Sequence, residues 1–182
     1  MVLTQALDPF AHDLDMPGTA DEVIARYWVD AYRFAAMLAH DAQESQDIAQ
    51  DALLLVVRKL DRFDPARGSF ESWLWRIVLN VARDAGRASV RRASLFDRVQ
   101  RDAWTAAGAD VEDIALQNLG DAELLGAVRA LNRRPRTLLA LRFGARLSYP
   151  EIGAQLGISE AAAIMATRRA LAHLRRKLEE VV

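Results

Sequence analysis

The 182 residues contain no cysteine, which rules out disulfide bonds and thiolate metal sites. Histidine is scarce as well. His12, His40 and His173 stand far apart, without metal-ligand spacing, so neither a metal nor a cofactor is expected. Glycine (9) and proline (5) are few and strand-like alternation is missing, so the pattern reads as helical nearly throughout. No apolar run approaches the roughly 20 residues that cross a bilayer, and membrane insertion is not expected. Met1 to Gly18 carries aspartates and has neither a basic n-region nor an apolar core, so it does not read as a signal peptide. A cytoplasmic location is the expectation. Catalytic groupings are also wanting. Asp47 and Asp51, at i and i+4, are able to share a proton or a metal, but no histidine or third carboxylate is spaced to complete a site. No catalytic residue is expected.

What is present is charge, sorted along the chain. The formal net charge is only −1. From Met1 to Asp51 acids dominate, opposed by Arg26 and Arg33 alone. From Arg58 to Arg101 basic residues outnumber acids, from Asp102 to Glu123 every charge is acidic, and from Arg129 to Lys177 only Glu151 and Glu160 oppose the arginines. Two basic blocks on either side of an acidic spacer suggest two surfaces for a polyanion, which the total conceals; two solvated helix faces are the plain alternative.

The apolar spacing divides the chain into segments. Residues 1–20, with Asp-Pro and Pro-Gly breaks, read as a mobile tail. A helix beginning near Asp21 is predicted to bury Ile24, Tyr27, Trp28, Ala31, Tyr32, Ala35 and Leu38. A second runs from about Ser45 to Leu60. Asp61 to Ser69, with Asp-Pro and Gly, reads as a loop. Ser69 then caps a third helix from Phe70 to about Ala88, whose stripe includes Phe70, Trp73, Leu74, Ile77 and Val78. Trp73 fits that stripe, whereas Trp75 lies off it and is free to stack on a base or a partner. Residues 89–120 lose the stripe and read as a linker, partly helical around Val90 to Ala106. Two further helices, Ala122 to Leu131 and Pro135 to Phe143, open a second cluster spanning 121–182, with Pro135 at a helix start. The expected fold class is all-α: two small helical domains joined by a linker.

The most specific local pattern is Leu147-Ser-Tyr-Pro-Glu-Ile-Gly-Ala-Gln-Leu-Gly-Ile-Ser-Glu160. Ser148 with Glu151 forms a capping box, and Pro150 is tolerated in the first turn. Gly157 falls at a sharp turn that calls for positive φ, with Ile158 plugging the corner. Ser159 caps a second helix carrying Ala163, Thr167, Ala170, Leu171, Leu174 and Leu178 on one side. Helix, glycine turn, capped helix is the helix-turn-helix layout, whose second helix typically lies in the DNA major groove. A structural helical hairpin is the plain alternative, and Arg168, Arg169, Arg175, Arg176 and Lys177 favour DNA. The outward face of that second helix is then Glu160, Ala161, Ile164, Met165 and Arg168, with Arg169 available to phosphate. Only Glu160 and Arg168 there form strong hydrogen bonds to base edges, while Ile164 and Met165 offer weaker contacts to thymine methyls. Exposed apolar residues on this face fit a protein contact equally well.

Taken together, these segments resemble a bacterial sigma factor of the extracytoplasmic-function group, over about residues 22 to 92 and 122 to 178. Ser45-Gln-Asp-Ile-Ala-Gln-Asp-Ala-Leu-Leu54 is similar to the helix that the family sets against RNA polymerase. Leu60 to Asp84, above all Phe70-Glu-Ser-Trp-Leu-Trp-Arg-Ile-Val-Leu-Asn-Val-Ala-Arg-Asp84, is similar to its promoter-melting segment. Leu147 to Ser159 is similar to the domain that grips the minus-thirty-five element.

The resemblance implies that residues 21–88 bind core RNA polymerase and melt the minus-ten element of promoter DNA, with Asp47, Gln50, Asp51 and Leu54 meeting the polymerase. Phe63, Arg67 and Ser69 would then hold a flipped base, and Arg76, Asn80, Arg83 and Arg87 would line the path of the non-template strand. Ser159, Glu160, Ile164, Met165, Arg168 and Arg169 would form the helix-turn-helix surface. An anti-sigma protein or another regulator is a further implied partner. One stretch departs from the family pattern. Ala161-Ala-Ala-Ile-Met-Ala166 stands where relatives usually carry Gly-Thr-Val-Lys-Ser-Arg, which points to weak or unusual DNA reading by this helix. A sigma-like regulator or decoy acting through protein contacts is the alternative that this departure favours. A conventional one-component regulator leaves the block from Phe63 to Asp84 unexplained.

Overall fold

The computed structural model describes residues 17–96 and 122–179. Seven α-helices carry the fold among them: α1 (Ala20–Leu38), α2 (Ala42–Arg58), α3 (Phe70–Phe96), α4 (Ala122–Arg129), α5 (Arg133–Leu139), α6 (Tyr149–Leu156) and α7 (Glu160–Glu179). Of the expected tail, 1–20, and the expected linker, 89–120, residues 1–16 and 97–120 lie outside the described residues.

Each helix start has a chemical reason. Thr19 caps α1 by accepting from the Glu22 N–H at 3.2 Å, and Asp41 caps α2 by accepting from the Glu44 N–H at 2.7 Å. Ser69 caps α3 as expected, accepting from the Ser72 N–H at 3.2 Å. Between α2 and α3 the chain makes two short 3-10 turns, Leu60–Arg62 and Pro65–Arg67. α3 continues to Phe96, past the expected end at Ala88; with no glycine or proline from residue 87 to 96, nothing local stops it. α5 starts at Arg133, two residues before the expected Pro135, which occupies the third helical position, where the missing N–H still costs nothing. The helix then loosens into a π turn, Ala140–Gly144.

α1 packs mainly on α2, and α2 on α3; α7 is clasped by α5 and α6. The buried apolar side chains of both halves nevertheless form one continuous cluster, because α1 also lies against α4, α5 and the π turn. This second neighbour rotates the buried face of α1. Val23, Ala31 and Phe34 are fully buried, while Ile24, expected inside, is 38% exposed. Phe34 meets Trp75 with ring centroids 5.3 Å apart. Trp75 is therefore a core residue, 3% exposed, contrary to the expected stacking role. It is off the stripe that faces α2 but on the side of α3 that closes the seam.

Polar contacts also cross that seam. Arg129 Nε donates to the Ala36 carbonyl at 3.0 Å, occupying one of the carbonyls that the end of α1 leaves without a helical partner. The Ser69 hydroxyl donates to Glu151 at 2.9 Å, and Gln155 Nε2 donates to the Ser72 carbonyl at 2.8 Å.

Candidate polymerase and nucleic-acid surfaces

α2 buries Ile48, Ala49, Ala52, Leu53 and Val56, which leaves Asp47, Gln50, Asp51 and Leu54 together on its outer face. All four are exposed. Leu54 is 42% exposed although it is a large aliphatic residue beside three polar ones. Gln43 Nε2 donates to Asp47 at 2.9 Å, one turn earlier on the same surface.

The loop before α3 stands on an aromatic cluster. Phe63 packs edge-on against Phe70 at 5.3 Å and against Trp73 at 5.4 Å, and Phe70 continues the cluster to Tyr27 at 5.8 Å. Phe63 is thereby half-buried, while Arg67 and Ser69 are exposed beside it. Beneath the cluster, the Tyr27 hydroxyl donates to Glu71 at 2.8 Å within the core. Burial, then the Glu71 hydrogen bond and charge, push the Tyr27 phenol far above its ordinary pKa.

From this loop α3 presents Arg76, Asn80, Arg83 and Arg87 at three- and four-residue spacing, so they share one face. Arg76, Asn80 and Arg87 are exposed, and Arg87 pairs with Asp84. Arg83 is half-buried, because α5 brings Arg133 against it. Burial, then the charges of Arg133 and Arg87, lower its pKa.

The helix-turn-helix forms as the sequence predicts. The Glu151 carboxylate accepts from the Ser148 N–H at 2.9 Å and from the Ser148 hydroxyl at 2.6 Å. Gly157 adopts φ 66°, in the left-handed region. Gly153 matters for a different reason: a Cβ there would meet the Ile158 carbonyl oxygen at 2.7 Å, so α6 and the turn approach as closely as they do only without a side chain. Arg142 fixes the entry, donating to the Leu147 carbonyl at 2.8 Å while its guanidinium lies 4.6 Å from the Tyr149 ring centre.

In α7, Ser159 caps the start by accepting from the Ala162 N–H at 3.2 Å. Ala163, Thr167 and Ala170 are buried as expected. Leu171, expected on the same side, is 41% exposed, whereas Ala170 before it is buried and Leu174 after it packs against the core. Glu160, Met165, Arg168 and Arg169 are exposed, and Ile164 is half-buried rather than fully outward. Sequence reasoning missed Glu151 and Gln155 as seam residues and Arg133 and Arg136 as neighbours of the α3 face. No local pattern marks a contact made across some fifty to eighty positions.

Two family models match the chain: Sigma-70 region 2 over residues 23–92 and Sigma-70 region 4 over residues 127–176. Together they span well over half of it. The chain belongs to the sigma-70 family. Among curated relatives, the ECF RNA polymerase sigma factor SigE of Mycolicibacterium smegmatis is 30% identical over 160 residues, covering 85% of this chain and 59% of that protein. The chain thus spans about three fifths of that relative's length. The RNA polymerase sigma-H factor of Pseudomonas aeruginosa is 33% identical over 141 residues, 72% of either chain. Such relatives place this sigma factor in the extracytoplasmic-function group. Its fold is similar to that of the sigma factor RpoE in complex with the anti-sigma factor NepR from Bartonella quintana, with a TM-score of 0.66 at 22% identity, covering 87% of this chain and 96% of that one. The all-α architecture, region 2 and region 4 with a linker between them, matches. Among the described residues no helix is long and apolar enough to cross a membrane.

Proposed function

We propose that this sigma factor acts in the cytoplasm, binds core RNA polymerase and directs recognition and opening of promoter DNA, as an initiation factor without a catalytic site. Residues 21–88 form the polymerase-binding and minus-ten unit, 89–120 the linker and 121–182 the unit for the minus-thirty-five element. The observation that carries this reading is the continuity of loop and helix. An exposed loop on an aromatic base leads directly into one face bearing Arg76, Asn80, Arg83 and Arg87, and an opened strand needs such a basic track with an adjoining place for an unstacked base.

Asp47, Gln50, Asp51 and Leu54 are assigned to the polymerase, Phe63, Arg67 and Ser69 to the flipped base, and Ser159, Glu160, Ile164, Met165, Arg168 and Arg169 to duplex contact. An anti-sigma protein is a further proposed partner, by likeness to the complex with NepR. Run-off transcription with purified core polymerase tests the reading. Promoter-specific transcripts are expected, and their absence on every template would overturn it. One observation favours the second reading, a regulator or decoy acting through protein contacts: the outer face of α7 is apolar where bases are read, with Ala161 and Ala162 exposed and Met165 47% exposed. That reading gives stable core binding with no transcript.

A further inference from the structure

At the seam between the two halves lies a cleft of about 500 Å³, a size typical of small-molecule sites. Its apolar floor is Leu38 from α1 with Leu79 and Ala82 from α3, and its rim is cationic from both sides: Arg83 and Arg87 from α3 face Arg133 and Arg136 from α5. The nearby acids are already engaged. Asp84 pairs with Arg87, and Glu44 accepts from the backbone N–H of His40 at 2.7 Å and lies 2.9 Å from its ring. Among the described residues Arg83 and Arg133 have no carboxylate partner. Arg136 donates from Nη1 to the Arg129 carbonyl at 3.2 Å, but its buried Nε has no hydrogen-bond partner among the described residues.

Guanidinium groups so placed repel one another, and the cost grows as the seam excludes water. Burial is the first cause that lowers the pKa of Arg83 and of Arg136, and neighbouring arginines add to it in both, although at Arg136 the charge of Glu44 opposes the shift. A multivalent anion seated between the walls reverses the sign of that interaction and supplies acceptors for the unused donors. An apolar floor beneath a cationic rim suits an anion that also carries a flat ring.

We propose that this cleft binds a nucleoside polyphosphate, its phosphates between Arg83 and Arg87 on one wall and Arg133 and Arg136 on the other, its base on Leu38, Leu79 and Ala82. The bound nucleotide ties α3 to α5 and holds the two halves together. Because Arg83 and Arg87 are also assigned to the non-template strand, ligand and opened DNA exclude each other. That last consequence rests on the promoter-directing reading; the binding site itself does not.

The test is calorimetric titration of the full chain at low salt with ATP and, separately, with inorganic tripolyphosphate. One ATP per chain is expected, bound more tightly than tripolyphosphate because only ATP uses the floor. Arg133→Glu and Arg83→Ala are each expected to weaken ATP by about tenfold or more, since each removes a charge-assisted contact from a different wall. Arg134→Glu, an exposed neighbour outside the cleft, is expected to leave the affinity nearly unchanged. Absence of binding by both probes overturns the proposal. So does indifference to Arg83→Ala, which confines the site to α5, or an equal loss in Arg134→Glu, which means a diffuse basic patch. A short single-stranded oligonucleotide separates the two sources of phosphate. If it binds more tightly than ATP with the same dependence on both walls, the cleft belongs to the strand and the small-ligand assignment fails. None of these outcomes bears on run-off transcription, so failure here and failure of the promoter-directing reading are distinguishable.

Discussion

Two hydroxyls at the residue scale have opposite fates. The Tyr27 phenol is satisfied by Glu71 inside the core, and Tyr27→Phe leaves a buried carboxylate short of a donor. A loss of about 1–3 kcal/mol is expected by denaturant titration. The raised phenol pKa gives a further signature. Its stability contribution is intact below about pH 10, the unfolded value, and is lost as pH climbs toward the higher folded value, because the unfolded chain ionises first. The wild type should therefore weaken above that pH more steeply than Tyr27→Phe; parallel alkaline profiles would refute this. Thr167 is the converse case: its hydroxyl is buried in α7 with no hydrogen-bond partner among the described residues. Thr167→Val keeps the shape and removes the unsatisfied group, and a gain of about 1 kcal/mol is expected in the same titration.

An amphipathic helix buries one face and leaves another exposed. Leu54 lies on the exposed face of α2, the one proposed for the polymerase. Leu54→Ala is expected to change stability by no more than about 0.5 kcal/mol, since an exposed side chain has little packing to lose, yet to weaken association with core polymerase clearly in an anisotropy titration. Unchanged core affinity would remove Leu54 from the polymerase surface. On α7 the proposed duplex contact rests on arginines that can reach phosphate. Replacing Arg168 and Arg169 by Ala should weaken duplex binding evenly across sequences. It should also flatten the dependence of log affinity on log salt by roughly 0.9 for each phosphate that is no longer neutralised. A sequence-dependent loss would show instead that one of them reads bases.

At the scale of the whole molecule, the two halves share one core, and hydrogen bonds from Arg129, Ser69 and Gln155 cross the seam. One of these joins Ser69, assigned to the flipped base, to Glu151, the residue that caps α6. Ser69 has a single hydroxyl proton and cannot donate it to a base and to Glu151 together, so a base that takes this proton, on the proposed reading, breaks the seam contact there. Energy transfer between dyes at Gln50 and Arg169, both exposed, is expected to report a changed distance when the factor joins polymerase on a promoter. An identical distance in the free and engaged factor would contradict this.

The sequence alone determined what depends on near neighbours along the chain. The capping pairs Ser69–Ser72, Ser148–Glu151 and Ser159–Ala162 are separated by three residues, and the left-handed turn at Gly157 is a property of one residue, so they were legible. The quartet on α2 was named by the family resemblance, and 3.6-residue periodicity puts its members on one face. Only the tertiary structure decided the faces of helices with two neighbours. Trp75 and Val23 are buried, and Ile24 is exposed, because α1 and α3 touch both halves, and periodicity identifies one buried stripe but not a second. The meeting of Arg83 with Arg133 and of Ser69 with Glu151 is likewise set by how separate helices pack. Contacts between residues so far apart in sequence leave no periodic trace in either segment.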